Sequence, residues 1–160
     1  MGHSEVSTLL WQEREALQLL LFKLTEEKLV VSAGLTRWLP QANTEVEQAL
    51  EQVRAAEVLL AAEVEVLAAG LGLSGLPTLS SLADAAPEPW STLYSDHRQA
   101  LLQLAAQVRE ATDDNRVLLT AGARSVRDTL LAITDSVDTY GADGSARSSS
   151  AGPMIMDEQA

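Results

Sequence analysis

The chain has 160 residues and a formal net charge of −12, and it is 46% apolar but only 4% aromatic. Nucleic acids and anionic membranes are bound through clustered Lys and Arg side chains, so this acidic balance argues against both as partners. The absence of cysteine excludes disulfides, thiol catalysis and cysteine-ligated zinc. Leu and Ala dominate and alternating β-branched runs are missing, so we expect a single all-α domain.

The N-terminus lacks the features of a targeting or membrane segment. Met1 to Glu5 contain no basic n-region, and Glu13, Arg14 and Glu15 interrupt the apolar stretch that follows. This pattern fits neither a signal peptide nor a membrane span. We therefore expect a cytoplasmic protein without membrane insertion.

A first helix is predicted over about residues 5–33. Its stripe lapses at Glu13 and Glu27, and around Leu19 to Phe22 the helix is apolar on nearly all sides. Burial between two neighbouring helices is the favoured explanation of that segment, and a second face for a partner is the alternative. The stripe has heptad-like spacing and consists of Val6, Leu10, Leu17, Leu20, Leu24 and Val31.

A second helix is predicted over about residues 37–69, with Thr36 as its N-cap and Pro40 in its first turn. A stop at Gly34 is favoured over a straight continuation of the first helix. Its outer glutamates, Glu45 among them, are expected to form a solvated surface. The helix carries a coiled-coil seam that repeats every seven residues, with two interleaved positions also filled. The seam comprises Leu39, Val46, Val53, Leu60 and Leu67, with Leu50 and Val64 between them.

A connector rich in Gly and Pro leads to the last predicted helix. A short helix is expected over residues 78–85, and Glu88 or Pro89 is well placed to begin a long helix that reaches Tyr140. The predicted fold is an antiparallel coiled-coil bundle of three long helices over residues 1–140, with a flexible C-terminal tail over 141–160. The stripe of the long helix contains Leu101, Leu104, Val108, Ala111, Leu118, Leu119, Val126, Leu130, Ile133 and Val137, and Asn115 lies within it.

The sequence holds little material for catalysis. His3 is expected in a frayed terminus and His97 on the apolar side of the long helix, where a hydrogen-bonded core histidine is favoured over a base or ligand. No metal-binding motif and no phosphate-binding glycine loop occurs. A binding protein without catalytic residues, metal or cofactor is therefore predicted.

The long helix would have about fourteen turns, whereas the first two helices have about eight or nine each. If those two pair along one half of it, the other half is under-covered and could receive a partner helix. Complete coverage by helix one, or closure of a homodimer, remains an alternative. The under-covered residues would be Leu118, Leu119, Val126, Leu130, Ile133 and Val137.

Several short motifs, in their order along the chain, resemble the FlgN-type flagellar export chaperones, particularly their high-GC Gram-positive branch. They are LWQERE at 10–15, LTEEKLV at 24–30, RWL at 37–39, the residues 45–50, the Gly-Leu-Gly-Leu break at 70–73, NRVLL at 115–119 and YGADG at 140–144. The match rests on order and spacing over nearly the whole chain.

The resemblance implies a cytoplasmic chaperone that binds the hook–filament junction proteins FlgK and FlgL and delivers them to the export gate protein FlhA, without a cofactor. Tyr140 would contact the export gate. The rival interpretation is a structural coiled-coil protein that associates with itself. Under the resemblance, the substrate-binding face would be Leu118, Leu119, Val126, Leu130 and Ile133.

Overall fold

The computed structural model describes residues 2–120, and Met1–Leu118 form one compact unit. Its elements are helix α1 (Gly2–Ser32), a 3₁₀ turn (Thr36–Trp38), helix α2 (Leu39–Gly70) and the short helix α3 (Leu79–Ala85). A further helix, α4, occupies residues 90–120, up to the end of the described range. No strand occurs in this part of the chain, and the all-α prediction is confirmed. The predictions for 121–140 and for the tail concern residues outside the described range.

The turn between α1 and α2 is set by Gly34, whose φ of 69° is in the left-handed region. The Gly34 N–H donates to the Val31 carbonyl at 3.1 Å and the Leu35 N–H donates to the Val30 carbonyl at 3.0 Å. These two bonds satisfy the last carbonyls of α1 in a Schellman motif, which confirms the predicted stop. The predicted N-cap at Thr36 is wrong, because the 3₁₀ turn comes first and α2 begins only at Leu39.

The three long helices run up, down and up. Lys23 of α1 donates to Glu45 of α2 at 2.9 Å, as the two helices pass each other in opposite directions. Glu45 remains partly exposed, as expected for the outer glutamates of α2, and its carboxylate also forms an ion pair with α1. Helix α4 runs parallel to α1, since Tyr94 near its beginning contacts His3 and Asp114 near its end pairs with Lys28.

The connector between α2 and α4 stays at the end of the bundle where α1 begins, and α3 covers that end. Thr78 and Ser81 form a reciprocal capping box at the start of α3, which confirms the predicted short helix. Leu82 of α3 is fully buried. It belongs to the end core, a cluster of buried residues that contains Val6, Leu10, Leu60, Val64, Leu67, Ala68, Leu82, Ala83, Ala86 and Tyr94.

A second apolar cluster, the middle core, lies further along the bundle. It is built from Leu20, Leu24, Ala49 and Val53, with Val46, Leu50, Val108 and Ala111 packed against it. Together the two clusters contain every predicted seam position of α2 except Leu39, which is half-buried. The seam thus forms the packing face of α2, as its spacing predicts.

The prediction that the segment Leu19 to Phe22 is buried between neighbours is wrong. Leu20 is buried, whereas Phe22 is 59% exposed and Leu19 is 36% exposed. Successive residues turn by about 100° around a helix, so Phe22 lies about 160° from Leu20 and faces away from the bundle. A helix at the periphery of a three-helix bundle has neighbours on one side only.

Candidate protein-binding surface

Helix α4 packs on the bundle through a series of residues spaced three and four apart. Leu104 is buried and Leu101, Val108 and Ala111 are partly buried, so this part of the predicted stripe is confirmed as the packing face. The same spacing extends the face in both directions through polar side chains that the apolar pattern does not include. The face runs through Trp90, Tyr94, His97, Leu101, Leu104, Val108, Ala111 and Asn115 and continues to the half-buried Leu118.

At the start of α4, Tyr94 and His3 fix the end of the bundle. The Tyr94 side chain is fully buried, its hydroxyl oxygen lies 2.8 Å from His3 Nδ1, and burial raises the pKa of Tyr94 to about 12. The His3 ring stacks on Trp90 at 5.3 Å between centroids. The prediction that His3 lies in a frayed terminus is wrong, because α1 begins at Gly2 and these two aromatic rings hold its first turn.

His97 occupies the gap between the two cores and is only 1% exposed. The edge of Trp11 contacts it with ring centroids 4.9 Å apart, and Arg14 Nη1 lies 3.4 Å from its Nδ1. Burial, with Arg14 as a second cause, lowers the pKa of His97, so the ring is neutral at pH 7. His97 is thus the core histidine that the sequence predicts. Its hydrogen-bonding neighbour is Arg14, whereas a histidine that acts as a general base is usually oriented by a carboxylate.

Glu13 and Glu27, the two lapses in the stripe of α1, are both buried. Burial raises the pKa of the Glu13 carboxyl, and the nearby Glu57 raises it further. Burial also raises the pKa of Glu27, whereas a hydrogen bond from Asn115 opposes that shift. The sequence could have indicated the burial of both glutamates, because they occupy core positions of the heptad pattern. A buried polar side chain at such a position fixes the register of neighbouring helices.

Asn115 is the last buried residue of α4 in the described range. Its Nδ2 donates to the Leu24 carbonyl at 2.8 Å and to Glu27 Oε1 at 3.1 Å. Beside it, Lys28 and Asp114 form an ion pair of 2.8 Å on the surface. These contacts hold α4 against the last turns of α1.

The two predicted binding residues within the described range follow directly after this anchor. Leu118 and Leu119 are half-buried, whereas the neighbouring Val117 is 67% exposed. Helix α1 ends at Ser32, about one and a half turns beyond Glu27. The other predicted site residues, Val126, Leu130, Ile133 and Tyr140, lie outside the described residues.

The described residues also expose apolar side chains on the outer sides of two helices. Phe22 and Leu29 lie along α1 on the side opposite Leu20, and a second group lies along α2. Exposed apolar side chains mark a protein-binding site where they are neighbours on the surface, as Val58 and Leu59 are on α2. The sequence could have indicated these exposed side chains, because they are apolar residues that lie outside the core stripe of their helix.

Residues 2–120 contain no group of acidic or histidine side chains able to hold a metal ion. Within the same range, no helix has the length and apolar character needed to cross a bilayer. Fold and surface together define a helical-bundle protein-binding domain. A family model described as FlgN protein matches residues 1–148, and the chain belongs to the FlgN family.

No curated protein and no solved structure matches the chain. FlgN is a family of chaperones and not of enzymes, and its members are flagellar export chaperones for hook-associated proteins. The predicted resemblance to this family is confirmed.

Proposed function

We propose that this chain is a cytoplasmic chaperone that binds FlgK and FlgL before their secretion and delivers them to the export gate protein FlhA. Its membership of the FlgN family supports the general role in export. The proposal adds the identity of the substrates, the surface that receives them and the delivery step.

The observation that carries the proposed surface is the position of Leu118 and Leu119. They are half-buried and come just after Asn115, where α1 has only about one and a half turns left. Their apolar spacing continues along the sequence. The proposed substrate-binding face is Leu118, Leu119, Val126, Leu130 and Ile133.

The physical basis is the burial of two apolar stripes against each other. A subunit segment that is disordered before assembly pays the cost of ordering when it binds, so moderate affinity is expected. An apolar helix face provides such binding without a nucleotide or a metal. Release then requires competition at the export apparatus, for which we propose Tyr140 as a contact with FlhA.

The experiment measures binding of the C-terminal helical segment of FlgK to the full-length chain by isothermal titration. We expect Leu119→Asp and Leu130→Asp each to weaken binding by at least about tenfold, because each would place a charge in an apolar interface. Leu102→Asp is the matched control, since Leu102 is 57% exposed on α4 and lies outside the packing face. If both test variants keep full affinity, the proposed surface is wrong.

The delivery step needs a separate measurement. Tyr140→Ala should reduce capture of the chaperone–FlgK complex by the cytoplasmic domain of FlhA and leave the affinity for FlgK unchanged. Equal capture of both forms would remove Tyr140 from the gate contact. Sedimentation equilibrium of the free chain tests the rival interpretation, because a tight dimer that Leu119→Asp dissociates would assign this stripe to self-association.

A further inference from the structure

The C-terminal half of α2 has an apolar outer face in addition to its core face. Val58, Leu59 and Val66 are 69%, 57% and 67% exposed, respectively, and the alanines between them are exposed as well. We call this surface the α2 outer face. It consists of Ala55, Val58, Leu59, Ala62, Val66 and Ala69.

The spacing of the α2 outer face is that of a second coiled-coil seam. Starting at Ala55, apolar residues recur at steps of four, three, four and three, over two heptads and about 21 Å of helix. Ala62, at its middle, lies about 160° around the helix from the core residue Leu60. The face therefore points away from the bundle, and the small alanines between the larger side chains permit a close approach of another helix.

One glutamate lies at each edge of this face. Glu65 lies exposed along one edge and the half-buried Glu63 lies along the other, while Glu51 is exposed at the N-terminal end. Arg54, the one basic residue of α2, is already paired with Glu51 at 2.6 Å. A helix that covers the α2 outer face thus meets carboxylates on either side.

This charge pattern disfavours a second copy of the chain as the occupant. In a symmetric antiparallel pair each edge meets its own copy, and in a parallel pair the Glu63 edge meets the Glu65 edge. Either arrangement places two acidic edges at one interface, with Arg54 as the one basic residue that α2 of each copy can offer, in a chain whose formal net charge is already −12. Basic residues flanking the stripe of a different helix would form attractive pairs at the same positions.

We propose that the α2 outer face binds an amphipathic helix of another protein whose apolar stripe is flanked by Lys or Arg. This surface shares no residue with the face proposed for FlgK and FlgL, and the proposal does not depend on those substrates. It gives the chaperone a second, electrostatically selective docking site on the opposite side of α2 from its core.

The probes for this site are two synthetic helical peptides of about three heptads with the same apolar stripe. One carries Lys and the other Glu at every flanking position, so like charges within each peptide oppose its self-association. Binding to the full-length chain is measured by fluorescence anisotropy at low and high salt. We expect the Lys peptide to bind at least about tenfold more tightly than the Glu peptide, with a preference that weakens in high salt.

The double variant Leu59→Gln/Val66→Gln should lose at least about tenfold in affinity for the Lys peptide. Leu29→Gln is the matched control, because Leu29 is similarly exposed at 65% but lies on α1. Circular dichroism checks that both variants keep the native helix content. Leu119→Asp should bind the Lys peptide normally, so that a failure of the FlgK surface is distinguished from a failure of this one.

Three results would overturn the proposal. The first is equal affinity for the Lys and Glu peptides, and the second is unchanged affinity in Leu59→Gln/Val66→Gln. The third is a dimer in sedimentation equilibrium that the double variant dissociates, which would make a second copy the occupant of the α2 outer face.

Discussion

Asn115 of α4 donates a hydrogen bond from Nδ2 to the buried carboxylate of Glu27 on α1, at 3.1 Å. The same amide group also reaches the Leu24 carbonyl. This polar contact fixes the register of α4 where the packed part of the helix meets Leu118 and Leu119. It therefore sets where the proposed substrate-binding face begins.

Asn115→Ala should lower the free energy of unfolding by about 1–3 kcal/mol, because it leaves the buried Glu27 carboxylate without its donor. The adjacent Asp114→Ala is the control. It removes an ion pair whose side chains are 45% and 48% exposed, so it should cost clearly less stability than Asn115→Ala. Urea denaturation followed by circular dichroism measures both. Equal losses would show that the Asn115 hydrogen bonds do not hold α4 in place.

Glu13→Gln should stabilise the protein at pH 7 by about 1 kcal/mol, the lower end of the gains from replacing buried ionic groups. The folded state raises the pKa of Glu13 above its ordinary value of 4.5. A carboxyl with a raised pKa contributes stability below its unfolded pKa and loses that contribution as the pH rises through its folded pKa. The advantage of Gln over Glu should therefore disappear below about pH 4.5.

Urea midpoints of the native chain and Glu13→Gln, measured between pH 4 and pH 7, test this expectation. Glu15→Gln serves as the control, since Glu15 lies exposed on the same helix. A Glu13→Gln advantage that stays constant across this range would exclude ionisation of Glu13 as its cause.

The helices of the described part of the fold could be predicted because hydrophobic periodicity records burial. The α2 seam is of this kind, whereas the stop at Gly34 was indicated by the glycine itself. Periodicity also made Glu13 and Glu27 look like interruptions, although they lie in the core, because a sequence pattern does not show which partner satisfies a buried polar group. It likewise did not show that α1 is covered on one side only, which leaves Phe22 exposed.

The candidate site was less predictable than the fold. The apolar spacing identified Leu118 and Leu119, but their position just beyond the Asn115 anchor depends on contacts with Leu24 and Glu27 that lie far away in the sequence. The α2 outer face was missed for a different reason. One strong seam on α2 was sufficient for the predicted bundle, so the second set of apolar residues on that helix was left without a role.

The unequal burial of Leu20 and Phe22 predicts unequal costs of truncation. Leu20→Ala should destabilise the protein by about 2–5 kcal/mol, since it opens a cavity in the middle core. Phe22→Ala should change stability by less than about 1 kcal/mol, because Phe22 is largely exposed. Urea unfolding compares the two directly. A large loss for Phe22→Ala would show that its ring is covered in solution, for example by another chain.

The turn that joins α1 to α2 depends on the left-handed conformation of Gly34. Gly34→Ala should cost about 1–2 kcal/mol, because a Cβ is strained at a φ of 69° even where no neighbouring atom lies within 4 Å. Gly70→Ala is the matched control. Gly70 is the last residue of α2, its φ is not positive and the space around it is open, so alanine there should be neutral or stabilise by up to about 1 kcal/mol. Thermal unfolding of the two variants measures the difference. Equal effects of the two substitutions would contradict a Schellman end at Gly34. Both glycines have open space for a Cβ, and they differ in that only Gly34 has a left-handed φ.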